Sequence, residues 1–72
     1  MTNAEMDTDM MEMMVEDWMF EHQDEMSDLV LDGEPYYDNE LSAWRQDAHD
    51  TSTSYALIEA NGNISIEYMG TI

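Results

Sequence analysis

The chain contains no lysine and no cysteine, and its only permanent cation is Arg45. The lack of cysteine excludes a disulfide framework and any thiolate metal site. No apolar run approaches the roughly 20 residues needed to span a bilayer. The first residues carry acids where a signal peptide would carry bases. The expected compartment is therefore the cytoplasm.

Chemistry-bearing motifs are missing as well. There is no glycine-rich phosphate loop, no metalloprotease histidine pair and no G-x-S-x-G nucleophile turn. Paired carboxylates are abundant, but eighteen acids in 72 residues produce such pairs by chance. Catalytic carboxylates also need a cleft that perturbs their pKa, and a core this small offers little room for one. His22 stands among Glu21, Asp24 and Glu25, and His49 between Asp47 and Asp50. His22 falls on an apolar helix face, where packing or a hydrogen bond is its expected role. The spacing around Asp28, Asp32 and Gly33 does not meet the calcium-loop pattern. No enzyme, no cofactor and no dedicated metal site is expected.

What is present is negative charge. Eighteen Asp and Glu against one Arg give a formal net charge of −17. Self-repulsion on this scale weakens the compact state and steers the molecule toward basic surfaces. Direct binding to nucleic acid or to an anionic membrane is excluded on the same ground. Composition argues against a disordered acidic tract: 43% of the residues are hydrophobic, with two Trp and four Tyr. A chain of 72 residues forms one domain, residues 1–72, that buries only about 60% of its unfolded surface. With no disulfide, self-association or a partner is an expected support.

Patterning predicts an α+β fold in the order helix, helix, hairpin. A long acidic helix is predicted over about residues 2–31, with Thr2 to Glu5 as a capping box and Thr8 as an alternative cap. Met11, Met14, Val15, Trp18, Met19, His22, Met26 and Leu29 fall on its apolar face. Gly33 and Pro35 end it. Tyr37, Leu41, Trp44 and Ala48 repeat at helical spacing and predict a second helix over about 36–49. A β-hairpin is predicted over about 55–69, turning at Asn61-Gly62. Its two-residue loop sets Leu57 opposite Ile66 and Tyr55 opposite Tyr68, in a hairpin that closes over both helices.

Sixteen of the eighteen acids precede residue 51. Glu5, Asp9, Glu12 and Glu16 form one helical column, and Asp17, Glu21, Asp24 and Asp28 a second. Like charges at these spacings cost a helix a few tenths of a kcal/mol per pair. Selection for folding alone would have interleaved lysines. The ten acids from Glu5 to Asp28 would lie along about 36 Å of helix. That is one charge per about 3.6 Å, near the roughly 3.4 Å per phosphate of a DNA strand. Met13 and Phe20 point into this acidic face, where apolar residues rimmed by charge either act as interface anchors or cover the second helix or a dimer partner. The predicted partner-binding residues are therefore Glu5, Asp9, Glu12, Met13, Glu16, Asp17, Phe20, Glu21, Asp24 and Asp28.

The run Met10-Met11-Glu12-Met13-Met14-Val15-Glu16-Asp17-Trp18, the acid columns and the small size carry a resemblance to a class. The chain resembles the small, lysine-poor, acidic proteins of phages and mobile elements, notably the DNA-mimic anti-restriction and anti-CRISPR inhibitors. The resemblance implies a host defence complex as partner, its nucleic-acid site blocked, in the host cytoplasm. Such mimics use many unrelated folds. A second reading is an acidic adaptor, antitoxin or chaperone-like module that binds a basic protein without mimicry, using its adaptable methionines. A third is a homodimer packed through the first helix.

Overall fold

The computed structural model describes residues 6–72. It holds one helix, α1 (Thr8–Glu21), and five strands: β1 (Val30–Leu31), β2 (Tyr36–Asp38), β3 (Ala43–His49), β4 (Thr53–Ala60) and β5 (Asn63–Thr71). All pairings are antiparallel. The sheet order is β1-β3-β4-β5, and β2 pairs with β3 beside β1. One helix on a five-stranded sheet replaces the predicted fold of two helices and a terminal hairpin. No described helix is long and apolar enough to cross a membrane.

The predicted first helix is much too long. Asp7 caps α1, its Oδ1 accepting the Met10 amide at 2.9 Å, so Thr8 is the first helical residue and not the cap. Thr2–Glu5, the predicted capping box, lies outside the described residues. The helix ends at Glu21, where the His22 amide is shared between the Trp18 and Met19 carbonyls (3.0 and 3.3 Å). Charge accounts for the stop. The last turn holds no basic residue, and continuation would stack Asp17, Glu21 and Glu25 at i+4 spacing. It would also set Asp24, Glu25 and Asp28 at the negative end of the dipole. The chain instead makes separate turns, with Met26 bonded to the His22 carbonyl (2.8 Å) and Leu29 to that of Met26 (3.1 Å).

The predicted second helix over 36–49 is two strands, β2 and β3. The misreading has a simple origin, because Trp44 and Ala48 satisfy both i+4 helical spacing and i+2, i+4 strand spacing. Gln46 between them decides the matter: it is buried on the same face, while Arg45, Asp47 and His49 point the other way. Tyr37 and Trp44, read as neighbours on one helix, are cross-strand partners with their rings edge-on at 6.2 Å. Asp38 makes the reversal between them, its Oδ1 accepting the amides of Glu40 and Leu41 (2.9 and 3.1 Å) in an Asx-type turn.

β4 and β5 join through Asn61 and Gly62, both at positive φ (55° and 83°), as a type I′ turn requires. The register sets Leu57 against Ile66 and Tyr55 against Tyr68. These strands do not close over two helices as a separate hairpin; they are one end of the sheet. A register shift near Tyr55 leaves Met69 unpaired, and Gly70 takes φ +140° there, a bulge that ends the flat part of β5. The core lies between α1 and one sheet face. Met11, Val15 and Trp18 meet Leu29, Ala48 and Leu57, flanked by Met6, Met19, Met26, Trp44, Tyr55, Ile64 and Ile66.

Candidate acidic interface

The α1 residues at i, i+4 and i+7 that enter the core decide what faces outward. With Met11, Val15 and Trp18 buried, a 3.6-residue repeat turns Met13 and Phe20 directly away from the sheet. Both are exposed, at 65% and 73%. Asp9, Glu12 and Glu16 flank them on one side, and Asp17 and Glu21 on the other; all five are exposed. Single exposed apolar residues are ordinary. Two on one ridge with acids on both flanks form an amphipathic surface able to meet a basic one.

Of the ten predicted binding residues, seven share this face of α1: Asp9, Glu12, Met13, Glu16, Asp17, Phe20 and Glu21. Asp24 and Asp28 are exposed but sit in the turns beyond the helix, so the second acidic column breaks after Glu21. Glu5 lies outside the described residues. The 36 Å line of charge therefore shrinks to the about 21 Å of a 14-residue helix. Its density survives, because five acids in α1 give one charge per about 4 Å.

The two flanks look onto different parts of the sheet. Glu12 and Glu16 border a depression of about 210 Å³ shared with Leu31, Gly33, Pro35 and Gln46. Asp17 and Glu21 border another of about 390 Å³, floored by Trp18 and Ile64 and closed by His22, Gly62 and Asn63. His22 is stacked on Trp18 with ring centroids 4.1 Å apart, and its Nδ1 donates to the Trp18 carbonyl at 2.8 Å. Among the described residues, no group of three or more His, Asp or Glu converges closely enough to hold a metal ion.

Arg45 is withdrawn from the surface electrostatics. Its Nη1 donates to Asp38 (2.9 Å), its Nε to Asp47 (2.6 Å), and its guanidinium lies over the Tyr36 ring at 5.8 Å. The Tyr36 phenol donates to the second Asp47 oxygen (3.1 Å). Burial, reinforced by the Asp47 carboxylate, pushes that phenol pKa up. Asp47, chiefly, and Asp38 hold the guanidinium charged. The Asp38 carboxyl is pulled below the usual range, first by the Leu41 amide and then by Arg45. Among the described residues there is no other Lys or Arg side chain. His49 donates from Nδ1 to both oxygens of Asp32 (2.8 and 2.9 Å).

Sequence reading missed the side of β5 turned away from β4. Among the described residues no strand pairs there. The one available signal is that 63–71 holds a single charge, Glu67, in an otherwise acid-dense chain. Comparison of the chain with protein-family models, with curated proteins and with solved structures gives no match.

Proposed function

We propose that the chain is a non-enzymatic inhibitor of the phage or mobile-element type that occupies the nucleic-acid-binding site of a host defence complex, a CRISPR effector or a restriction system, in the host cytoplasm. The observation that carries this reading is the outer face of α1. Five exposed carboxylates are spaced at about 4 Å along the axis, and Met13 and Phe20 are exposed between them. A basic groove built for phosphates meets a comparable density over about six phosphate spacings. Arg45 does not interrupt it, because Asp38 and Asp47 already hold that guanidinium. The apolar pair supplies short-range contacts that distinguish one basic groove from another.

A second reading has its own support. An adaptor that binds a basic protein without imitating nucleic acid would use the unpaired side of β5. Charge reversal separates the two. Lys at Glu12, Glu16, Asp17 and Glu21 abolishes competition with nucleic acid if the α1 face is the mimic. If this quadruple variant still displaces nucleic acid from the target as the parent does, the mimic reading is wrong.

A further inference from the structure

The two sides of the sheet are built differently. Beyond β3 the edge is divided between β1 and β2, only two and three residues long, with Asp32, Gly33, Glu34 and Pro35 between them. Short, charged, proline-interrupted edges resist strand addition. From Asn63 to Tyr68 β5 is neither short nor interrupted by proline and carries one charge, Glu67, over about 20 Å of regular strand before the bulge. Ala60 and Asn63 close a two-residue turn and so form a hydrogen-bonded pair. By the antiparallel alternation, the amides and carbonyls of Ser65 and Glu67 point to β4, and those of Ile64, Ile66 and Tyr68 point away from it. Those outward groups have no strand partner among the described residues.

Charge selects the occupant. The start of this edge, Asn63 and Ile64, forms one wall of the 390 Å³ depression that Asp17 and Glu21 border. Glu67 is exposed on the opposite sheet face. A strand laid along β5 would turn successive side chains to opposite faces, so basic ones could meet Asp17 and Glu21 beside Ile64 on the helix side and Glu67 on the other, with apolar ones over Ile66 and the 65% exposed Tyr68 on the helix side. A second copy would instead bring a further −17 charges to the edge.

We propose that β5 accepts an extended basic segment of the partner as an added strand, with basic side chains reaching Asp17 and Glu21 on the helix side and Glu67 on the other. This rests on the reading that the partner is basic, and it names the backbone form that the partner brings. Affinity would come from main-chain pairing, and selectivity from the alternating side chains.

The test uses the full chain and a labelled, end-blocked peptide about six residues long to match the edge, with one Arg on each face, placed to meet Asp17 and Glu21 beside Ile64 and to meet Glu67, and Val elsewhere. Binding is read by fluorescence anisotropy at about 50 mM salt. Tyr68→Pro removes an outward amide and leaves the pairing with β4 intact; Tyr68→Ala removes the same side chain and keeps the amide. Circular dichroism verifies that both fold. Tyr68→Pro is expected to bind about ten-fold more weakly than Tyr68→Ala. On the unaltered chain, N-methylation of alternate peptide amides should cause a comparable loss. Equal binding by the two variants, with N-methylation tolerated, overturns strand addition. If charge reversal on α1 then still abolishes binding, the acidic-surface reading survives that failure. A peptide-free dimer that Tyr68→Pro dissociates, seen by sedimentation, would assign the edge to a second copy and also overturn the proposal.

Discussion

Gln46 gives the most quantitative test of how the acidic face is supported. It is the one buried polar residue among those described, at 2% exposure. Its Nε2 faces three carbonyls: Asp32 and Gly33, each at 3.2 Å, and Asp47 at 2.9 Å. It thereby ties the β1–β2 connection to β3 beneath the Glu12 and Glu16 flank of α1. Gln46→Met keeps the volume and removes the donor. Each hydrogen bond contributes about 0.5–1.5 kcal/mol, and a buried acceptor left bare costs about 1–3. Asp32 and Gly33 are exposed residues, so water can re-satisfy their carbonyls, and the sum comes to about 2 kcal/mol. A chain this size has only about 4–10 kcal/mol in total. In urea, with a slope near 1 kcal/mol/M, the midpoint should fall by about 2 M. Gln46→Glu should cost more at neutral pH, since it aims a carboxylate at three carbonyls, and should recover on acidification as the new carboxyl becomes a donor. A Gln46→Met variant as stable as the parent, or a Gln46→Glu variant with no recovery in acid, refutes this account of the site.

Further expectations follow from the surface. Met13→Ala and Phe20→Ala should each change the unfolding free energy by less than about 0.5 kcal/mol, as exposed substitutions do, yet weaken target binding by about ten-fold when combined; a melt and a titration on the same samples check this. Asp38 and Asp50 have depressed pKa values in the folded chain, Asp38 chiefly through the Leu41 amide and Asp50 chiefly through the Ser52 amide. Folded pKa values below the unfolded ones mean stability that is present above about pH 4 and lost as pH falls through the depressed values. Thermal melts in acid should show this loss, and Asp50→Asn should flatten it.

Local patterns were legible and distant pairings were not. The stripe of Met11, Val15 and Trp18 needs only a 3.6-residue period, and the Asn61-Gly62 turn with its register needs only two positive-φ residues between alternating strands. The length of α1 was misjudged because an apolar stripe through Met26 and Leu29 outweighed the repulsion among Glu21, Asp24, Glu25 and Asp28. Both residues do reach the core, but from turns. The strands at 36–49 were misjudged because they depend on β4, which lies later in the chain and supplies partners for Arg45 through His49. The exposure of Met13 and Phe20 was readable from the wheel. The open side of β5 was not, since an edge is defined by which strand is missing beside it. The withdrawal of Arg45 was equally hidden, because Asp38 meets it only across the β2–β3 pair.

The central claim is that the outer face of α1 competes with nucleic acid for a basic groove. The direct measurement is displacement of a labelled duplex from purified CRISPR effectors and restriction complexes by the unaltered chain. At about 50 mM salt, one chain per site should displace the duplex from its target, and at about 300 mM displacement should weaken by about ten-fold or more. The Lys substitutions at Glu12, Glu16, Asp17 and Glu21 should abolish it. If a target that binds the chain keeps its full nucleic-acid affinity at saturating protein and low salt, the claim is contradicted.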